Sequence, residues 1–211
     1  MPPPRSFLRR SLSLAALVGG LIALAACATA PGATFDPAGP CTTDGQRPGA
    51  YPELETRIPA TFDGAAPVRL DSGRNCSETN LGTLSAHGIG ELRFAGGLWE
   101  TGERSGVTIA VFRAPGLTME RLAEFYETGA RSARKTEAIE TSPLTVRSVA
   151  GRRLDTLNDE SFQTIVVLEG DEPDLVRAVL VASDVREVGT RDAHDRTVDR
   201  ATEAAVASEG P

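Results

Sequence analysis

The feature that most restricts the fold is a change of hydrophobic period after Pro143. Leu144–Val149, Arg152–Leu157, Phe162–Glu169 and Leu175–Ala182 are four runs whose apolar residues recur at two-residue spacing. That spacing is the period of a strand, whose side chains alternate between the two faces of a sheet. Three short regions separate the runs: Ala150-Gly151, Asn158-Asp159-Glu160-Ser161 and Gly170-Asp171-Glu172-Pro173-Asp174. Connections this short join antiparallel neighbours, so the four runs predict a meander. Ile165-Val166-Val167-Leu168 and Val176 through Val181 are apolar on both faces apart from Arg177. Strands of that composition lie centrally in a sheet.

The same logic extends upstream. Glu91–Ala95 reads as a strand and Gly96-Gly97 as a turn; Leu98–Glu103 and Gly106–Phe112 read as a hairpin around Glu103-Arg104-Ser105-Gly106. Pro115-Gly116 then breaks the chain, and Thr118 caps a helix that runs to about Arg134. Its Leu122, Phe125, Tyr126, Gly129, Ala130 and Ala133 recur at steps of three and four, an amphipathic stripe that packs on a sheet. Tyr126 is read as a partly buried core aromatic. Nearer the start, Pro52–Ile58 can hold one or two helical turns, and Val68–Leu70 a short strand. Asp71-Ser72-Gly73-Arg74-Asn75-Cys76 reads as a polar turn, and 78–87 as a helix capped by Ser77 and ended by Gly88. Residues 189–211 form a polar C-terminal tail, expected to be mostly disordered, with a marginal helix through Val198, Ala201 and Ala205 as the other reading. The fold class is therefore α+β: one domain over 51–188, an antiparallel β-meander sheet with one main amphipathic helix (about 118–134) packed on one face.

Residues 1–26 have the layout of a secretory signal peptide. Arg5, Arg9 and Arg10 make a positive start, and Leu12–Ala26 is an uncharged run ending in small residues. The run is shorter than the roughly 20 residues a spanning helix needs. It closes on Leu24-Ala25-Ala26-Cys27, which resembles the lipobox of bacterial lipoproteins. The resemblance implies that Cys27 becomes the first residue of the mature chain and carries the acyl groups, palmitate among them. Residues 27–50 then form the lipidated cysteine and a flexible tether, rich in proline and glycine up to Pro40. Ala28, where an aspartate is absent, resembles the second residue of lipoproteins directed to the outer membrane. Arg9-Arg10-Ser11-Leu12 also resembles a twin-arginine signal, although Ser13 interrupts the expected apolar pair. The localisation this implies is a cell membrane or outer membrane, lipid-anchored, facing the periplasm or exterior.

The signal holds three of the 22 basic residues and none of the 29 acidic ones; the remainder has 19 basic against 29 acidic, a net charge of −10. That balance excludes nucleic acid, which needs clustered cations, and leaves membrane attachment to the lipid. With Cys27 acylated, Cys41 and Cys76 remain, and an even pair in an exported domain reads as one disulfide.

Sequence chemistry offers little else. There is no Gly-x-Ser-x-Gly or His-Glu-x-x-His motif. His87 falls at a predicted helix end, and His194 in the tail is expected to be solvated. The acidic loops Asp155…Asn158-Asp159-Glu160 and Asp171-Glu172…Asp174 lack EF-hand spacing and read as turns, so no metal and no cofactor is assigned. Trp99, in a glycine-flanked hairpin, is the candidate recognition aromatic, with burial in the core the competing reading. Residues 50–188, from Pro-Glu-Leu-Glu…Ile-Pro through the helix and meander, are similar to uncharacterised envelope lipoproteins of GC-rich bacteria, a resemblance that carries no catalytic residues. The expectation is a non-catalytic binding or interaction module of the cell envelope, its partner an envelope protein or a small ligand. The alternatives are an envelope hydrolase using carboxylates not identifiable from sequence, or a structural accessory of an envelope complex.

Overall fold

All the strands of the predicted meander and hairpin lie in one sheet. The computed structural model describes residues 35–133, 136, 138–158 and 160–208; the signal peptide, Cys27 and the first part of the tether fall outside them. The elements in chain order are β1 (Gly45–Arg47), α1 (Pro52–Glu55), β2 (Arg69–Asn75), α2 (Glu78–Leu81), α3 (Thr83–Ala86), β3 (Leu92–Glu100), β4 (Gly106–Arg113) and α4 (Met119–Ser132). After these come β5 (Ala138–Val146), β6 (Val149–Leu157), β7 (Ser161–Glu169), β8 (Leu175–Asp184), α5 (Val185–Val188) and α6 (Arg191–Ala207). The sheet order is β1-β2-β3-β4-β8-β7-β6-β5, antiparallel throughout. The chain therefore builds one half outward-in from β1 to β4, crosses through α4, and builds the other half inward from the edge strand β5.

Both faces of the sheet are covered. Val107, Ile109 and Val111 of β4, Val166 and Leu168 of β7 and Val179 and Val181 of β8 point to one face, under α1, the Ile58–Phe62 loop and α6. Ala178 and Val176 of β8, Ile165 and Val167 of β7 and Leu154 of β6 point to the other, under α2, α3 and α4. The strands predicted to be apolar on both faces are thus the central ones, and each face buries a separate core.

Several local elements differ from the expectation. The predicted disordered tail is α6, a 17-residue helix with Val198, Ala201, Ala205 and Val206 buried against the sheet. It orders because this face of β4 and β8 is apolar and the segment covers it together with α1 and the Ile58–Phe62 loop. Asp71–Asn75 is strand, not turn: Ser72 and Arg74 are buried, each with polar partners. Gly96-Gly97 is not a turn either, and β3 runs straight through it. A side chain at Gly97 would lie 2.8 Å from Ile58 and 2.7 Å from the Trp99 ring, so the position is glycine because two large residues close over it. Lastly, β5 begins at Ala138 and passes through Pro143, which an edge strand tolerates since its outward N–H needs no partner. The β5–β6 turn is Arg147-Ser148, both left-handed at φ 47° and 73°, in place of Ala150-Gly151. The predicted 78–87 helix is also split, where Gly82 adopts φ 50°.

Cys41 and Cys76 form a disulfide with Cα atoms 5.5 Å apart, joining the start of the domain to the end of β2. The bridge closes a loop of 35 residues' separation, which on chain-entropy grounds stabilises by about 4 kcal/mol. Replacing both cysteines by alanine is therefore expected to lower the urea-unfolding free energy by about that amount. An unchanged midpoint and slope would show that the bridge constrains nothing.

Candidate functional site

The described chain begins in a clasp. Arg74 is buried in β2 and donates to three backbone carbonyls, of Gly39 at 2.7 Å, Pro40 at 2.8 Å and Asp36 at 3.0 Å. The Phe35 ring lies 5.7 Å from its guanidinium. Asp44 performs the matching task beyond the disulfide: it accepts from the Cys76 and Ser77 amides, the Ser77 hydroxyl and the Asn80 side chain. Burial works to raise the Asp44 pKa, but these donors outweigh it and hold the carboxyl below its usual range. Residues 35–50, predicted to be flexible tether, are thus docked on the sheet, because the terminal nitrogens of a buried arginine need acceptors and these carbonyls supply them.

A second polar cluster pins α6. His194 is fully buried; its Nε2 lies 2.8 Å from Thr164 Oγ1 and its Nδ1 2.8 Å from Ser183 Oγ. Thr164 gives its own proton to Asp155 at 2.5 Å. It can therefore only accept from Nε2–H, which leaves Nδ1 as acceptor of the Ser183 hydroxyl proton. Arg153 and Arg191 bind both Asp155 and Asp195 from the rim. Burial, then the charge of Arg191, pushes His194 down to about 4. Burial tends to raise Asp195, yet its hydrogen bonds from Arg153 and Arg191 hold it low. Ser183 beside a histidine has the residue types of a nucleophile and base, but both are sealed beneath α6 and no substrate carbonyl reaches them. His194 was expected in solvent. The detectable cue was its place four residues before Val198, on the stripe continued by Ala201 and Ala205.

The other sequence candidates are placed as follows. Trp99 is 2% exposed; it packs edge-on against Phe62 and donates its indole N–H to Ala65 O at 2.9 Å, so it presents no surface to a partner. His87 ends α3 and pairs with Glu124 at 2.8 Å. Asp171 and Glu172 are engaged by Arg57, Arg113 and Arg177. Asp174 accepts from the Gly116 amide, and Asp155 belongs to the His194 cluster. Among the described residues no three His, Cys, Asp or Glu side chains are grouped to hold a metal ion. Asp159 and Cys27 lie outside them.

What remains is a recess beside α4. The helix is capped by Thr118, whose hydroxyl accepts from Arg121 N, and buries Leu122, Tyr126 and Ala130 at four-residue steps. It lies over β6, β7 and β8. Between the helix flank and the sheet edge lies an open recess whose enclosed part is about 10 Å³, with Ala123, Tyr126 and Glu127 on one wall and Thr141, Arg152, Arg153, Leu154 and Val167 on the other. The register fixes this second wall: Thr141 pairs with Leu154, and Arg152 with Val167 and Pro143. Tyr126 stacks edge-on with Phe112 and Phe125, and burial holds its phenol well above the usual tyrosine range. No sequence signal marked this place, since Tyr126 read as core and Arg152 as one arginine among many.

Fold and sites together define a disulfide-stapled α+β domain built on one open antiparallel sheet. No known family model matches the chain, and no curated protein matches it.

The His194 cluster makes a definite pH prediction. Its folded pKa is about 4 against 6.5 for the free side chain, so the unfolded chain binds more protons between those values. The stability this depressed value supports is complete above pH 6.5 and falls as the pH drops toward 4, by about 3 kcal/mol in all. Urea unfolding at a series of pH values measures it. His194→Gln is expected to flatten the slope between pH 5 and 6.5, and an equal slope in both proteins would refute the assignment.

Proposed function

We propose that this chain is a lipid-anchored extracytoplasmic protein, with residues 1–26 a lipoprotein signal peptide, Cys27 acylated, and the domain a non-catalytic binding module of the cell envelope. The observation that carries the address is the Cys41–Cys76 disulfide. A structural bridge between cysteines distant in sequence belongs to an oxidising space, outside the cytoplasm. The lipobox-like Leu24-Ala25-Ala26-Cys27 supplies the means of retention, and two or more acyl chains hold a protein on a membrane durably. No helix among the described residues is long and apolar enough to cross a membrane. The clasp of residues 36–40 by Arg74 gives the anchor a fixed point of attachment on the sheet edge.

The binding reading draws on the open recess between α4 and the sheet, where the exposed Thr141 and Arg152 border the apolar Ala123, Leu154 and Val167. The main amphipathic helix α4, which forms its wall, serves as the recognition helix of the module. The Ser183–His194 pair, by contrast, is enclosed and serves to orient α6.

Metabolic labelling with an alkyne fatty acid tests the address. The wild-type chain is expected to be labelled and to sediment with membranes, whereas Cys27→Ser is unlabelled and released. An unlabelled wild type, with Cys27→Ser fractionating unchanged, would overturn it. Proximity capture on intact membranes tests the module reading, which turnover of an envelope substrate by the purified protein would contradict.

A further inference from the structure

We propose that the peptide bond between Asp36 and Pro37 is a self-cleavage site, at which the Asp36 carboxyl cuts its own backbone once and frees the domain. The chemistry stands apart from the lipid; its consequence, release from a membrane, rests on the lipid-anchored reading.

The argument begins with the bond itself. Asp36-Pro37 is the one Asp-Pro pair in the sequence. Proline contributes a tertiary amide with no N–H. Its nitrogen is more basic than that of an ordinary peptide, so it takes up a proton and departs more readily. Aspartate holds its carboxyl where attack on its own carbonyl carbon closes a five-membered ring, a favourable intramolecular reaction.

The clasp around Arg74 then arranges this bond for reaction. The Asp36 carbonyl oxygen accepts from Arg74 Nη2 at 3.0 Å and from the Gly39 amide at 3.1 Å. Arg74 is 2% exposed and stays protonated. Two donors, one of them charged, thus face the oxygen on which negative charge develops during attack. The carboxylate oxygen Oδ1 accepts from the Ala38 amide at 3.0 Å, and the ring this contact closes encloses the Asp36–Pro37 bond. A Cβ at residue 39 would lie 3.1 Å from Asp36 Oδ2, so glycine leaves the carboxyl its room. Asp36 is exposed, which gives water access to the product.

The step balances as a hydrolysis. An oxygen of the neutral Asp36 carboxyl bonds to the Asp36 carbonyl carbon, the bond from that carbon to Pro37 N breaks, and the carboxyl proton passes to the proline nitrogen. Asp36 is left as a cyclic anhydride, which one water opens to two carboxyls, one of them the new C-terminus. The cut falls between Cys27 and the Cys41–Cys76 bridge. The released domain begins at Pro37 and keeps its disulfide, the Tyr51 hydroxyl bond to Pro37 O, and the Arg74 bonds to Gly39 and Pro40. Only the anchor is lost.

The test incubates the purified full-length chain in detergent at mildly acidic pH and follows, by mass spectrometry, a fragment that begins at Pro37. The folded protein is expected to yield it about tenfold faster, or more, than the same chain unfolded in urea at the same pH. The rate should rise as the pH falls, because the neutral carboxyl is the reacting form. Asp36→Glu, which would need a six-membered ring, and Pro37→Ala, which restores an ordinary amide, alter the N-terminal segment and leave the sheet as it is. Each should slow the cut about tenfold or more. Absence of the Pro37 fragment, equal rates in folded and unfolded chains, or undiminished cutting in Asp36→Glu would overturn the proposal. Such a failure, with Cys27 still labelled by the fatty acid, removes the self-cleavage and leaves the lipid anchor in place.

Discussion

The pairing of β4 with β8 is the contact on which the rest of the structure depends. It joins Gly106–Arg113 to Leu175–Ala182 in the middle of the sheet, so it closes a long loop before it is rewarded by burial. The reward is large because both faces of both strands are apolar. A two-faced apolar strand pair is stable only if each face is covered, and this single requirement dictates where the helices go. The segment between β4 and β5 supplies α4 for one face. The other is left to α1 and to the last helix of the chain.

Covering two faces with so acidic a chain requires orientation as well as burial. Small residues such as Ala201 and Ala205 let α6 approach closely but specify its rotation weakly. The buried Ser183–His194–Thr164–Asp155 chain of hydrogen bonds fixes that rotation, and it does so with a neutral imidazole, avoiding an uncompensated buried charge. Arginine does comparable work at the edges: Arg74 gathers the N-terminal segment, and Arg57 ties α1's end to the β7–β8 loop. The one exposed large apolar side chain among the described residues is Val68, 61% exposed, so the cores leave no broad apolar surface behind.

The interior strands were legible because burial on both faces writes itself as a nearly continuous apolar run, as in Ile165–Leu168 and, apart from Arg177, Val176–Val181. Helix α4 was legible through its stripe and its Thr118 cap, to within two residues at its end. The failures share a cause, which is that the deciding partner is distant in sequence. Ser72 reads as a turn residue until the Tyr51 amide and Glu55 carboxylate are placed on its hydroxyl. Gly97 reads as a turn until Ile58 and Trp99 close over it. The tail reads as disordered because its apolar residues are few and small, and nothing local reveals the bare face awaiting them. The recess was hidden for the same reason: its walls come from α4 and from β5 to β7, segments that meet only in the fold.

Native-state hydrogen exchange tests the two-faced sheet most directly. The account predicts that the amides of β4 and β8 exchange most slowly, and that those of Val198–Val206 are protected as part of the same cooperative unit. Amides of Val198–Val206 exchanging at the rates of an unstructured peptide, while β4 and β8 stay protected, would contradict it: the sheet would then stand with one face uncovered.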